Sequence, residues 1–238
     1  MPLADSVTVY VVLTAILATA VCSYAAYWAL EIRKGLAVGA YRHQAFGLGI
    51  IALAVSLVQV VLTLDFIYPG WVFDNLSILA PYSAVLTIFY WVDASVRTGR
   101  RSDPLLRDTF RWRTTRVVII AAMLGGMIIG FLGGLAGTIG PNGPVAFAIG
   151  VMPVFLGLGT AVITLPVVGY RSRDNALRTQ LAWFGFFALS ILVITVLISS
   201  NLNLPYQSLL GQDLGVAVGG LCLYKSSKSL VPLNRISP

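Results

Sequence analysis

Seven apolar stretches, at about 7-32, 43-65, 75-97, 116-138, 144-169, 176-200 and 205-225, take up most of the 238 residues of this chain. A helix of such length, rising about 1.5 Å per residue, crosses a hydrocarbon core about 30 Å thick. The composition agrees, with a mean hydropathy of +0.86, 58% hydrophobic residues and only 11% charged ones, which is a membrane balance and not a soluble one. The expected fold class is therefore an all-α integral membrane protein: one seven-helix transmembrane domain over 1-238, multi-pass in the cell membrane. Seven spans and their turns leave no extramembrane segment large enough to fold alone.

All sixteen Lys and Arg residues can be placed on one side of that membrane. They cluster at Arg33, Lys34 and Arg42, from Arg97 to Arg116, at Arg171, Arg173 and Arg178, and at Lys225, Lys228 and Arg235. The loops 65-75, 138-144 and 200-205 carry none. Basic residues resist translocation, so this side is expected to be cytoplasmic, with the N-terminus outside and the C-terminus inside. The net charge of +7 is then accounted for by this bias and by anionic lipid heads of the inner leaflet, and nucleic acid is not an expected partner. Cys22 and Cys222 fall inside spans, away from any extracellular disulfide. Ala18-Thr19-Ala20 has the look of a signal-peptidase site, but the six residues before the first span hold Asp5 and no Lys or Arg, a poor match to a cleaved signal.

A repeat runs through the spans. Arg42-x-Gln44-x4-Gly49-x2-Ala52-Leu53 opens the second, and Arg178-x-Gln180-x4-Gly185-x2-Ala188-Leu189 opens the sixth at an offset of 136 (178 minus 42). The same offset relates Pro69 to Pro205. Both triplets run in one direction, which gives a 3+1+3 parallel plan of the kind that puts a site between halves. The alternative is that cytoplasmic helix starts favour Arg and Gln in any case. Gly126, Gly130 and Gly134, Gly133 with Gly137, and Gly211, Gly215 and Gly219 recur every fourth residue, as helices that pack backbone to backbone require.

One connection is more than a turn. Asp103-Pro104 offers an N-cap and a first-turn proline, and Leu105, Leu106, Thr109 and Phe110 share one face. With Arg107, Arg111, Trp112 and Arg113 elsewhere, 103-115 reads as a cytoplasmic interfacial amphipathic helix. It is a surface for inner-leaflet lipid or for a cytoplasmic partner.

Asp213 is the sharpest single residue. It lies twelve positions before Lys225, which is ~18 Å of helix rise from the inner end. An intramembrane carboxylate is by default a functional group, protonated or facing water when no cation lies at its depth. Gln207, Gln212 and tyrosines of other helices are its expected hydrogen-bond donors. Gln59 and Tyr82 are candidates to line a polar cavity, though isolated polar residues on spans more often bond between helices. Asp93 with Arg97, and Glu31 beside Arg33 and Lys34, have the spacing of local interfacial pairs. A bolder reading makes Asp93 the inner end of a proton relay from Asp213. His43 stands alone and supports no metal site. No G-x-S-x-G, phosphate loop or H-E-x-x-H occurs, so neither an enzyme nor a cofactor is expected.

Seven helices with this orientation and length resemble microbial rhodopsins, and Asp213-Leu-Gly-Val-Ala217-Val-Gly219-Gly-Leu is similar to that family's seventh helix. The retinal lysine of the family would fall at Ala217. No lysine occurs in the spans except Lys34 and Lys225 at the cytoplasmic edge, so the resemblance implies the scaffold without the chromophore. The third helix also departs from the family's Arg and counter-ion Asp. The Arg-x-Gln starts at Arg42 and Arg178 resemble those of seven-helix input domains of bacterial sensor kinases, although no output domain follows. A sugar-transporter reading of the 3+1+3 plan lacks the expected Pro-Gln pairs.

Taken together these features describe a receptor-like or sensory membrane protein. It is expected to bind a small ligand between helices 3, 6 and 7 and to signal to a cytoplasmic partner. The alternatives are a proton-coupled small-solute transporter or channel using Asp213, and a structural subunit packed against other membrane chains or copies of itself.

Overall fold

A computed structural model describes residues 2–68, 70–102, 167–170, 174–201 and 207–231, with single positions at 165 and 172 and between 114 and 128. The described residues are helical apart from short turns, with no strand among them. Five helices are laid out along them: α1 Pro2–Gly35, α2 Gly39–Ile67, α3 Trp71–Ser102, α4 Asn175–Asn201 and α5 Gln207–Lys228. They coincide with the first, second, third, sixth and seventh apolar stretches. By length and composition, two of them (α1 from Thr8 and all of α2) suffice to cross a membrane. The interfacial segment with Arg107, Arg111, Trp112 and Arg113 lies outside the described residues, and so do Gly126, Gly130 and Gly134.

Contacts fix the direction of each helix. The Ser23 and Ser56 hydroxyls lie 3.0 Å apart and Ser56 reaches the Thr19 carbonyl at 3.3 Å, while Gly49 sits under Leu30; α1 and α2 are antiparallel. Ser226 donates to the Gln180 carbonyl at 3.0 Å and Gly215 lies against Ile191, so α4 and α5 are antiparallel too. By contrast α1 and α5 run the same way. Thr14 meets Asp213, Cys22 meets Val216, and Trp28 meets Tyr224. The starts of α2 and α4 lie side by side, joined by a hydrogen bond from the Tyr41 hydroxyl to Asp174.

Glycines set the closest approaches. A Cβ at Gly215 would stand 3.0 Å from the Ile191 Cα and 3.2 Å from the Ser190 and Ile191 carbonyl oxygens; one at Gly220 would meet Val21 and Cys22 of α1 within 3.3 Å. Gly215 and Gly219 of the seventh stretch thus form a seam on which α5 packs against α4, with Gly220 serving α1. The α1 side of that contact is equally small: Ala15, Ala18, Cys22, Ala25, Ala26 and Ala29 are all buried. Dispersion between close backbones is the attraction that such surfaces supply in an apolar solvent.

Among the described residues, many large apolar side chains along the helices are exposed. Leu13, Leu17, Leu57, Leu189, Leu197 and Leu221 are all exposed, while Gln44, Gln59, Gln180 and Asp213 are buried. That distribution inverts the one expected in water. At the basic end, Tyr24, Tyr27, Trp28 and Tyr224 form a cluster with Lys228 5.8 Å over the Tyr224 ring. Amphipathic rings beside cations are the usual furniture of a membrane–water boundary.

Candidate functional site

The repeated Arg-x-Gln starts fold alike. Arg42 donates through Nε to the carbonyl of Leu36, and Arg178 donates through Nη2 to the carbonyl of Ser172 at 3.1 Å. Each acceptor lies six positions before its arginine, and the two acceptors are themselves 136 apart (172 minus 36). Both arginines therefore tie the helix start to the chain that enters it. Asp174 caps α4 by accepting the backbone N–H groups of Ala176 and Leu177 at 2.9 and 3.2 Å. This is the ordinary N-cap role of Asp. Its second oxygen takes the Tyr41 hydroxyl, so one carboxylate orders α4 and fastens it to α2.

Two residues after each arginine stands a glutamine that is 0% exposed. Neither Gln44 nor Gln180 finds a hydrogen-bond partner for its side-chain oxygen or nitrogen, and the same holds for Ser95 Oγ and Trp91 Nε1. Helical register collects these groups. Gly47 leaves room for Trp91, whose Cδ1 edge lies 2.9 Å from where a Cβ would be. The Trp91 ring in turn packs 4.2 Å from Phe184. Gln44 is one turn from Gly47, Ser95 one turn from Trp91 and Gln180 one turn from Phe184, each towards the basic end and each on nearly the same face of its helix. By register this puts Gln44, Ser95 and Gln180 on the basic side of the Gly47–Trp91–Phe184 contact, with Phe187 beyond Phe184. Sequence reasoning singled out both glutamines as part of a repeat, with a general preference for Arg and Gln at helix starts as the alternative, and did not name them as site residues. Their recurrence at one spacing was the signal available.

Asp213 occupies a second buried position, 1% exposed, in the seam of α1 and α5. Its donor is Thr14, whose Oγ1 lies 3.1 Å from Oδ2 and also 3.0 Å from the carbonyls of Tyr10 and Val11. Oδ1 has no partner. Among the described residues the donor is thus a threonine of the parallel helix and not Gln212, because α1 covers this face of α5; the side chain of Gln207 lies outside the described residues. Gln212 is half-buried. Gln59 is 1% exposed and its amide bonds to nothing, against the expectation of an interhelical bond. It lies on α2. Tyr82 is on α3, with its side chain outside the described residues.

The interfacial pairs form as their spacing implies. Arg97 bonds Asp93 and Lys34 bonds Glu31 at 2.7 Å. Asp93 sits two residues from Trp91, on the far side of α3 from the glutamines, so the structure does not bring it to Asp213. Among the described residues no cluster of His, Cys, Asp and Glu could hold a metal ion. Both cysteines are free.

No protein-family model, curated protein or solved structure matches this chain. Its function has to be argued from its own residues.

Proposed function

We propose that this chain is a seven-helix multi-pass protein of the cell membrane, with the N-terminus outside and the basic end cytoplasmic. In this reading it works as a receptor-like sensor that takes a small ligand between its two halves and signals to a cytoplasmic partner. The parallel course of α1 and α5 supports an odd number of spans. Because α3 ends and α4 begins at the same end of the bundle, the chain between them has to cross an even number of times, and the apolar stretches 116-138 and 144-169 supply two crossings. The anionic inner leaflet is the natural partner of the basic end.

One observation carries the ligand-binding part. Gln44 and Gln180 occupy equivalent positions of the repeat, both wholly buried and both without partners. Buried amides are ordinarily satisfied, and each exception asks for a reason. A ligand held between the halves supplies it. The site lies beside the Tyr41–Asp174 fastening, so occupancy changes how α2 and α4 meet at the face a partner would read.

A second reading, a small-solute transporter, draws on the parallel duplication, which suits alternating access, and on Asp213 as the protonatable group. Proton and solute flux in proteoliposomes, wild type beside Asp213→Asn, separates the two. The sensor reading predicts no flux in either protein. Flux that is lost in Asp213→Asn would replace it with the transporter reading.

A further inference from the structure

We infer that the level formed by Gln44, Ser95 and Gln180 over the Trp91–Phe184 floor is a binding site for a small, uncharged, hydrogen-bonding solute of the carboxamide class. The inference rests on the ligand-binding reading above and specifies its chemistry.

The groups available are two amide NH2 groups, one indole N–H and one hydroxyl as donors, with two amide oxygens and the same hydroxyl as acceptors. All belong to side chains that are 0% exposed, and none of these atoms is used by another residue. A pair of glutamines offers a donor and an acceptor side by side on each wall. A carboxamide is complementary to that pattern, since it presents one carbonyl and one NH2 in a single plane. The floor suits the rest of such a molecule. Trp91 and Phe184 are tilted by 31° with centroids 4.2 Å apart, and Phe187 continues the surface 5.3 Å beyond Phe184, an apolar wall for a small methyl or methylene group.

Charge argues against an ion. Among the described residues, the charged groups that flank this level are engaged elsewhere. Arg42 and Arg178 hold loop carbonyls, Asp174 holds the α4 start and Tyr41, and Asp93 holds Arg97 from the opposite side of α3. A carboxylate or ammonium entering the level would be desolvated beside charges already committed to other partners, which is more unfavourable than burying a neutral amide among amides.

The test uses the full chain in detergent micelles, followed by tryptophan fluorescence and thermal unfolding with millimolar acetamide, acetate or methylammonium, three solutes of similar size. Wild type, Gln44→Met, Gln180→Met and Trp91→Phe are compared; Met keeps the unbranched shape of Gln without its amide. The expected result is a rise in Tm with acetamide alone, with at least a tenfold loss of apparent affinity in either Met variant while both remain folded. A response to acetate or methylammonium equal to that for acetamide, but still lost in the Met variants, overturns the uncharged class and leaves the ligand-binding reading standing. A response to acetamide unchanged in both Met variants overturns the site. No response to any of the three solutes in folded wild type overturns the inference and withdraws its support from the reading beneath it.

Discussion

Replacing Gln44 or Gln180 by Met should make this protein more stable, not less. Each glutamine buries a carbonyl oxygen and an NH2 group with no partner. In the absence of ligand, a buried group left unsatisfied costs about 1–3 kcal/mol, whereas an apolar group of the same shape has nothing to satisfy. Methionine matches the length and flexibility of the side chain, so little packing is lost. For a chain of 150–250 residues about 1 kcal/mol shifts Tm by roughly 2–4 °C. Each variant should therefore unfold roughly 2–12 °C above wild type. Thermal unfolding in micelles, read by tryptophan fluorescence and checked by loss of helical dichroism, measures it. The double variant adds a check on proximity, because residues sharing one site depart from additivity by about 0.5 kcal/mol or more. A fall in Tm of either single variant would refute the reasoning, since it would mean that the amide makes a stabilising bond.

Two further perturbations probe the frame around the site. Gly215→Ala should lower stability by about 1–3 kcal/mol, because its Cβ would meet backbone of α4 that cannot yield without separating the helices; an unchanged Tm would refute the seam. Tyr41→Phe should cost about 1 kcal/mol through the lost bond to Asp174, and Asp174→Ala about 1–2 kcal/mol more by removing the α4 cap as well. Denaturation curves of equal effect for these two variants would deny Asp174 its double role.

Helix positions were legible in the sequence because length and apolarity mark a span without any knowledge of neighbours. At the basic end the stops of α1 and α5 were legible as well, in Arg33, Lys34, Lys225 and Lys228. Which way each helix faces was not. Leu57 is exposed and Val58 buried on adjacent positions of α2, and the two side chains are equally apolar, since lipid and protein interior make the same demand. Periodicity of hydropathy therefore carries little information about the core in such a chain. Polar residues carry more: the repeat singled out Gln44 and Gln180, which are both buried, while leaving their direction open. Asp213 was read as an intramembrane acid, either protonated or facing water; it is buried, and its partner Thr14 is 199 positions away (213 minus 14), on a helix that only the parallel closure of α1 on α5 brings near. Asp93 and Glu31 were the easy cases because i,i+3 and i,i+4 pairs are fixed by the helix itself.

The central claim is a bundle that crosses the membrane repeatedly with its basic end inside. Single cysteines at Val38, Gly70 or Lys228, in a chain carrying Cys22→Ala and Cys222→Ala, test it with a membrane-impermeant maleimide on intact cells. The cysteine at position 70 is expected to be labelled before permeabilisation and those at positions 38 and 228 only after it. Positions 38 and 70 labelling together, or position 228 labelling with position 70 in intact cells, would contradict it.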